Sequence, residues 1–171
     1  LTDITERERA EAHLAYLANF DALTGLPNQH HFRHLLEAEL AAAAAKGTQL
    51  GTVVVSLARL HEISDLLGID AGHAALRQVG ALFQSQLPRA AGVARIKDNE
   101  FAMVVHARHG RSELDEFASA LHRRLSNALT VGGREFFLGP MVGVSVFPED
   151  GASADELFRR ADSARNRLGS N

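Results

Sequence analysis

The run Leu50–Leu57 constrains this chain more than any other segment. Its centre, Val53-Val54-Val55, is apolar and β-branched at consecutive positions, where a strand with one wet face would alternate. The run therefore reads as a central strand, buried within a sheet. A chain built around it must supply neighbouring strands and helices to cover them.

The rest of the sequence supplies both. Thr5–Phe20 has a helical period with a narrow apolar stripe at Ala10, Leu14, Leu17 and Phe20. That stripe suits either a helix that pairs with a partner, a second copy included, or a plain surface helix. Leu23-Thr24-Gly25-Leu26-Pro27-Asn28 reads as a turn, with Asn28 as N-cap of a helix that carries Phe32, Leu35, Leu36 and Leu40 and stops at Gly47. After the central strand come a short helix, His61–Leu67, ended by Gly68, and a longer one, Asp70–Leu87, with Leu76, Val79, Leu82 and Phe83 on one face. Val93–Ile96 and Phe101–Ala107 form a hairpin across Lys97-Asp98-Asn99-Glu100, where Asp and Asn tolerate positive φ. A helix over Arg111–Leu129, strands over Glu135–Leu138 and Met141–Phe147, and a helix over Ala154–Leu168 capped by Ser153 complete the chain. The inner order β-α-β-β-α-β predicts an α/β (α+β) fold with a ferredoxin-like core. Its central sheet is antiparallel-containing with flanking helices, expected on one face, and an N-terminal signalling helix precedes it. Residues 1–20 are expected to be a linker helix and residues 21–171 the domain.

Composition excludes several function classes. With 171 residues, 46% of them hydrophobic and 23% charged, the chain has the makings of one globular domain. The absence of cysteine rules out disulfides, zinc-thiolate sites, iron–sulfur clusters and thiol catalysis. A net charge of −3 gives no footprint for nucleic acid or an anionic membrane. No apolar run approaches the roughly 20 residues of a membrane helix, so a cytoplasmic domain without membrane contact is expected. The chain opens on Leu1 and its methionines are Met103 and Met141, so a module of a longer protein is expected.

Taken singly, few residues look chemical. His30 and His34 have the i, i+4 spacing of a metal-ligand pair beside His31, but solvated histidines on a polar face account for them better. Gly132-Gly133 lacks the Lys-Ser/Thr of a phosphate loop and reads as a turn. No G-x-S-x-G elbow marks a nucleophile.

Taken in order, the segments resemble the GGDEF family, the diguanylate cyclase domain of bacterial cyclic di-GMP signalling. Asp21-Ala22-Leu23-Thr24-Gly25-Leu26-Pro27-Asn28, followed by Phe32, is similar to its D-x-L-T-G-L-P-N-x-x-x-F opening. Ser64-Asp65 with Gly68 and Gly72, then Arg95, Glu100-Phe101 and Val142 through Gly151 add to the likeness, and Ala161-Asp162-Ser163-Ala164 resembles the closing A-D-x-A. The resemblance implies two domains meeting face to face, each holding one GTP with Mg²⁺, and each ribose 3′-hydroxyl attacking the other's α-phosphate. Carboxylates at the end of the first core strand and in the signature hairpin would hold the metal.

This chain departs from that pattern where chemistry is expected. At the strand position Ser56, followed by Leu57, stands where the family has an aspartate. The signature reads Lys97-Asp98-Asn99-Glu100-Phe101, so its metal-binding aspartate is Asn99. Asp98 is one residue away and should face the other side of the extended backbone. Lys97 and Asp98 replace glycines that let backbone approach a nucleotide. The guanine-reading positions are Ser64 and His73, and a serine is too short to reproduce an amide's reach. No lysine follows the closing motif, only Arg165 and Arg167. The product-inhibition R-x-x-D falls by spacing on Pro88 and Ala91, with Arg89 out of register, so that site is expected to be absent.

All of these positions are therefore expected to be vestigial. The expected function is a catalytically inactive regulatory or dimerisation module with no cofactor. The alternatives are a GTP-sensing domain controlling a C-terminal EAL phosphodiesterase, or an active diguanylate cyclase with unusual ligands. The expected partners are a second copy and adjacent domains. Leu1-Thr2-Asp3-Ile4-Thr5-Glu6-Arg7 resembles the end of a PAS sensor, and Gly169-Ser170-Asn171 the point where an EAL domain begins.

Overall fold

A computed structural model describes residues 5–87 and 89–169, the last four of these as backbone. Helix α1 (Glu6–Asn19) is capped by the Thr5 side chain and α2 (Gln29–Lys46) by Asn28, whose Oδ1 accepts from the His31 N–H at 3.0 Å. Gly47 ends α2 at φ 69°, where a side chain would be strained. There follow β1 (Leu50–Leu57), α3 (His61–Leu67), α4 (Ile69–Gln84), β2 (Ala90–Lys97), β3 (Glu100–His106) and α5 (Arg111–Leu125). Next come β4 (Leu129–Val131), β5 (Arg134–Phe136), β6 (Pro140–Phe147) and α6 (Ala154–Gly169). Ser153 Oγ accepts from the Glu156 N–H at the start of α6, as its sequence position predicts.

The main sheet runs β2-β3-β1-β6 and every pairing in it is antiparallel, which is the ferredoxin-like order. All eight residues of β1 are buried, and the reason is that both faces of the sheet are covered. On one face Val53, Val55, Phe101 and Met103 pack with Leu76, Val79 and Phe83 of α4 and Leu114, Phe117 and Leu121 of α5. On the other, Val54, Ala102 and Val104 pack with Phe32, Leu36 and Leu40 of α2 and Leu157 and Ala161 of α6. The crossover helices do share one face, but the expectation of helices on one face alone fails. Two elements outside the β-α-β-β-α-β unit close the other side.

The boundaries differ in two further places. The helix expected over Arg111–Leu129 stops at Leu125, and Leu129–Val131 instead pairs with Arg134–Phe136 as a separate two-stranded sheet. Gly132 and Gly133, at φ 59° and 76°, form its turn, because two left-handed residues match the twist of a tight hairpin. The hairpin between β2 and β3 closes differently. Neither Asp98 nor Asn99 adopts positive φ, and a register shift between Arg95 and Lys97 absorbs the geometry instead.

Candidate functional site

The opening turn and the signature hairpin lie at one end of the sheet and are joined. Asp21 Oδ2 accepts from the Thr24 N–H and hydroxyl at 2.9 and 2.7 Å, which fixes the turn around Gly25 at φ 73°. Its other oxygen pairs with Arg95 Nη1 at 2.9 Å, and both side chains are largely buried, at 19% and 10% exposure. Arg95 also donates from Nη2 to the Asp98 carbonyl at 2.9 Å and from its backbone N–H to the Pro27 carbonyl. One arginine therefore ties the turn to the hairpin. Leu26 and Phe32 are buried as expected, and Leu23 packs against the core from a half-buried position.

At the hairpin, Asn99 donates its side-chain amide to the Leu57 carbonyl at 3.2 Å, while the Leu57 N–H donates to the Asn99 carbonyl at 2.9 Å. Ser56 is buried and opposes Glu100 across the β1–β3 ladder. Neither of these side chains is exposed. Asn99 has a partner within the chain, and Ser56 is buried on β1. Lys97 and Asp98 are exposed. Phe101 is fully buried and stacks on Phe83 with centroids 4.4 Å apart, so the last signature position serves the core.

Glu100 keeps a carboxylate on the Ser56 side of the sheet, 15% exposed, and Arg165 Nη1 of α6 lies 3.8 Å from it. Arg165 Nε is also 3.1 Å from Asp162 Oδ1. Of the two arginines that follow the closing motif, Arg165 is engaged by two carboxylates. The side chain of Arg167, the other candidate, lies outside the described residues.

The two guanine-reading positions do come close in space. A Cβ on Gly72 would lie 2.7 Å from Ser64 Cβ, and His73 is the next residue. The Ser64 hydroxyl donates to the His61 carbonyl at 3.0 Å. Nearby, Arg59 donates to both oxygens of Glu62 at 2.9 and 3.1 Å; these hydrogen bonds, then the charge of Arg59, hold the Glu62 carboxyl below its usual range. Of the remaining candidates, His30 and His34 meet edge to face at 4.7 Å, and His31 packs on Phe20. Arg89 lies over the Phe117 ring at 5.1 Å, Ala91 is half-buried on β2, and Pro88 lies outside the described residues.

A cleft of about 660 Å³ opens beside β6 between α5 and α6, away from the signature. On its wall Arg111 Nη2 pairs with Asp150 Oδ2 and the Val146 N–H donates to the same oxygen at 2.8 Å. Partial burial pushes the Asp150 carboxyl up, but those hydrogen bonds and the charges of Arg111 and Arg160 outweigh it and hold the group below its usual range.

A metal of the Mg²⁺ type needs hard, anionic oxygen ligands. The residues present do not fit one: a buried serine hydroxyl, an amide turned as a donor, and a glutamate already facing a guanidinium. Among the described residues, no three His, Asp or Glu side chains gather as a ligand set. No helix of the described residues is long and apolar enough to cross a membrane.

The sequence matches the family described as "Diguanylate cyclase, GGDEF domain" over residues 18–171. It is 32% identical over 166 residues to an uncharacterised signalling protein of Caulobacter vibrioides, covering 96% of this chain and 20% of that protein. It is likewise 32% identical over 163 residues to the cyclic di-GMP phosphodiesterase PdeR of Escherichia coli, covering 95% of this chain and 24% of that protein. The chain thus spans a fifth to a quarter of the length of these curated relatives. Among solved structures, a sensory box/GGDEF family protein from Caulobacter crescentus superposes with a TM-score of 0.80 at 31% identity, covering 89% of this chain and 98% of that one.

Proposed function

The chain belongs to the diguanylate cyclase GGDEF family, and on that premise we propose that it is a catalytically silent GGDEF module. It would serve regulation or dimerisation within a larger bacterial cyclic di-GMP signalling protein. The observation that carries this reading is the Asn99 amide donating to the Leu57 carbonyl. A metal ligand must offer a lone pair to the cation, and here the group at the signature position presents its N–H to the neighbouring strand. Ser56 adds no charge, and Ser64 spends its proton on its own helix. Phosphoryl transfer depends on stabilising charge at the reacting phosphate, and each 1.36 kcal/mol lost is about tenfold in rate.

The relatives support a modular setting. The phosphodiesterase from Escherichia coli is about four times as long as the matched segment, so a silent domain of this kind would act on a neighbour in its own chain, an EAL-type phosphodiesterase after it or a PAS-type sensor before it. The test is incubation of the purified chain with GTP and Mg²⁺ or Mn²⁺, paired with calorimetry. The expected result is background cyclic di-GMP and GTP binding no tighter than about millimolar, near 4 kcal/mol. Turnover that disappears in Glu100→Ala would overturn the reading. Micromolar GTP binding with preference over ATP would replace it by a nucleotide sensor without turnover.

A further inference from the structure

The clustering of Glu100, Asp162 and Arg165 follows from how α6 meets the sheet. A Cβ on Gly143 would collide with the Ala161 carbonyl and the Arg165 backbone nitrogen, so glycine there lets α6 lie directly on β6. Gly143 pairs with Val54, two residues before Ser56 on β1, and Ser56 in turn pairs with Glu100. This register carries the Arg165 side chain, 23% exposed, to within 3.8 Å of Glu100. Asp162 Oδ1 and Arg165 Nε, 3.1 Å apart, are both buried and have no aligned hydrogen-bond partner. They are held by charge and position, not by directed bonding. Glu100, 15% exposed, is mostly withdrawn from water while Asp162 is 40% exposed, and a largely desolvated carboxylate beside a second one is costly to leave without a cation.

We propose that the Arg165 guanidinium is the resident cation of this site. It stands where a divalent ion would otherwise compensate Glu100 and Asp162, fastens the signature hairpin to α6, and keeps such ions out. A planar, permanently charged group suits a half-buried pair of carboxylates better than a hydrated ammonium does. Arg165 is then a positioning residue whose partners lie within the chain. This role deepens the silent-site reading, and the two fail separately: cyclase activity tests that reading, whereas the response of the fold to ions tests Arg165.

The experiment measures melting of the 171-residue chain in millimolar MgCl₂ or MnCl₂ against NaCl of equal ionic strength. Wild type and Arg165→Lys should melt at the same temperature in all three salts. Arg165→Met should melt lower in NaCl and recover by several degrees in Mn²⁺ or Mg²⁺, as the ion takes the vacated place between the carboxylates. Glu100→Gln/Arg165→Met should lose that recovery and melt higher in NaCl than Arg165→Met, because it leaves no uncompensated glutamate. A divalent-ion rise of equal size in wild type, no ion response in Arg165→Met, or a double variant less stable than Arg165→Met would each overturn the proposal. If Arg165→Met fails to fold in NaCl, its folding in Mn²⁺ or Mg²⁺ supports the proposal, and failure there while Glu100→Gln/Arg165→Met folds no better overturns it.

Discussion

The opening turn, residues 21–28, and the signature hairpin, residues 97–101, sit side by side and share Arg95, yet their polar groups are settled in different ways. In the turn, Asp21, Thr24 and Asn28 are satisfied by backbone and side chains of the same motif or by Arg95. Their work is to hold the chain's entry into the sheet, and that needs no ligand. In the hairpin, Lys97 and Asp98 face solvent, Asn99 is neutral and Glu100 keeps a largely buried carboxylate. Those that are buried have found partners inside the chain: Asn99 on Leu57, and Glu100 beside Arg165. A half-buried polar group must be satisfied by something, and a site that does not hold a ligand must satisfy itself.

The contrast breaks if damage to the two regions has equal weight. The largest effect is expected from Phe32→Ala, which empties the space between α2 and the sheet and should cost roughly 3–5 kcal/mol in a denaturant titration. Asp21→Asn follows, because it leaves the largely buried Arg95 without its counter-charge; about 3 kcal/mol is expected from the same titration. Should Asp21→Asn prove neutral, the turn and hairpin are not joined as described.

Asn99→Ala sharpens the comparison. A solvated remnant would tolerate it, whereas loss of the bond to Leu57 should cost about 1 kcal/mol, with Ser56→Ala no worse than that. If Asn99→Ala matches Asp21→Asn instead, the hairpin is as structural as the turn, and the distinction between the regions is gone.

The smallest effect lies away from both regions, at Asp150. Its carboxyl is held low in the folded chain, so the stability it confers is present above the unfolded value near 3.9 and is lost as pH falls through the lower, folded value. Asp150→Asn should therefore melt below wild type at neutral pH and converge with it towards pH ~3. With Arg111 40% exposed, no more than about 1 kcal/mol is expected.

Local chemistry made most of the fold legible. Asn28 caps α2, Gly47 and Gly68 end helices, and the valine run marks β1, because each depends on residues within a few positions of itself. Gly132-Gly133 also carried the signal for the β4–β5 hairpin; the helical period running up to Leu129 hid it.

The motif positions could be read in order along the chain, and so could their departures from the resemblance. The sequence by itself thus determined the elements other than β4, the order of the main sheet and the identity of the changed residues. It did not determine what those residues do now. That Asn99 turns its amide on Leu57, 42 positions earlier, and that Arg165 crosses from α6 to Glu100 were decided by strand register and by the close approach at Gly143. Covering of the second face by α2 and α6 was decided in the same way. The physical reason is that a hydrogen bond or an ion pair acts over a few ångströms of space, and only the packed chain brings such distant positions within that range.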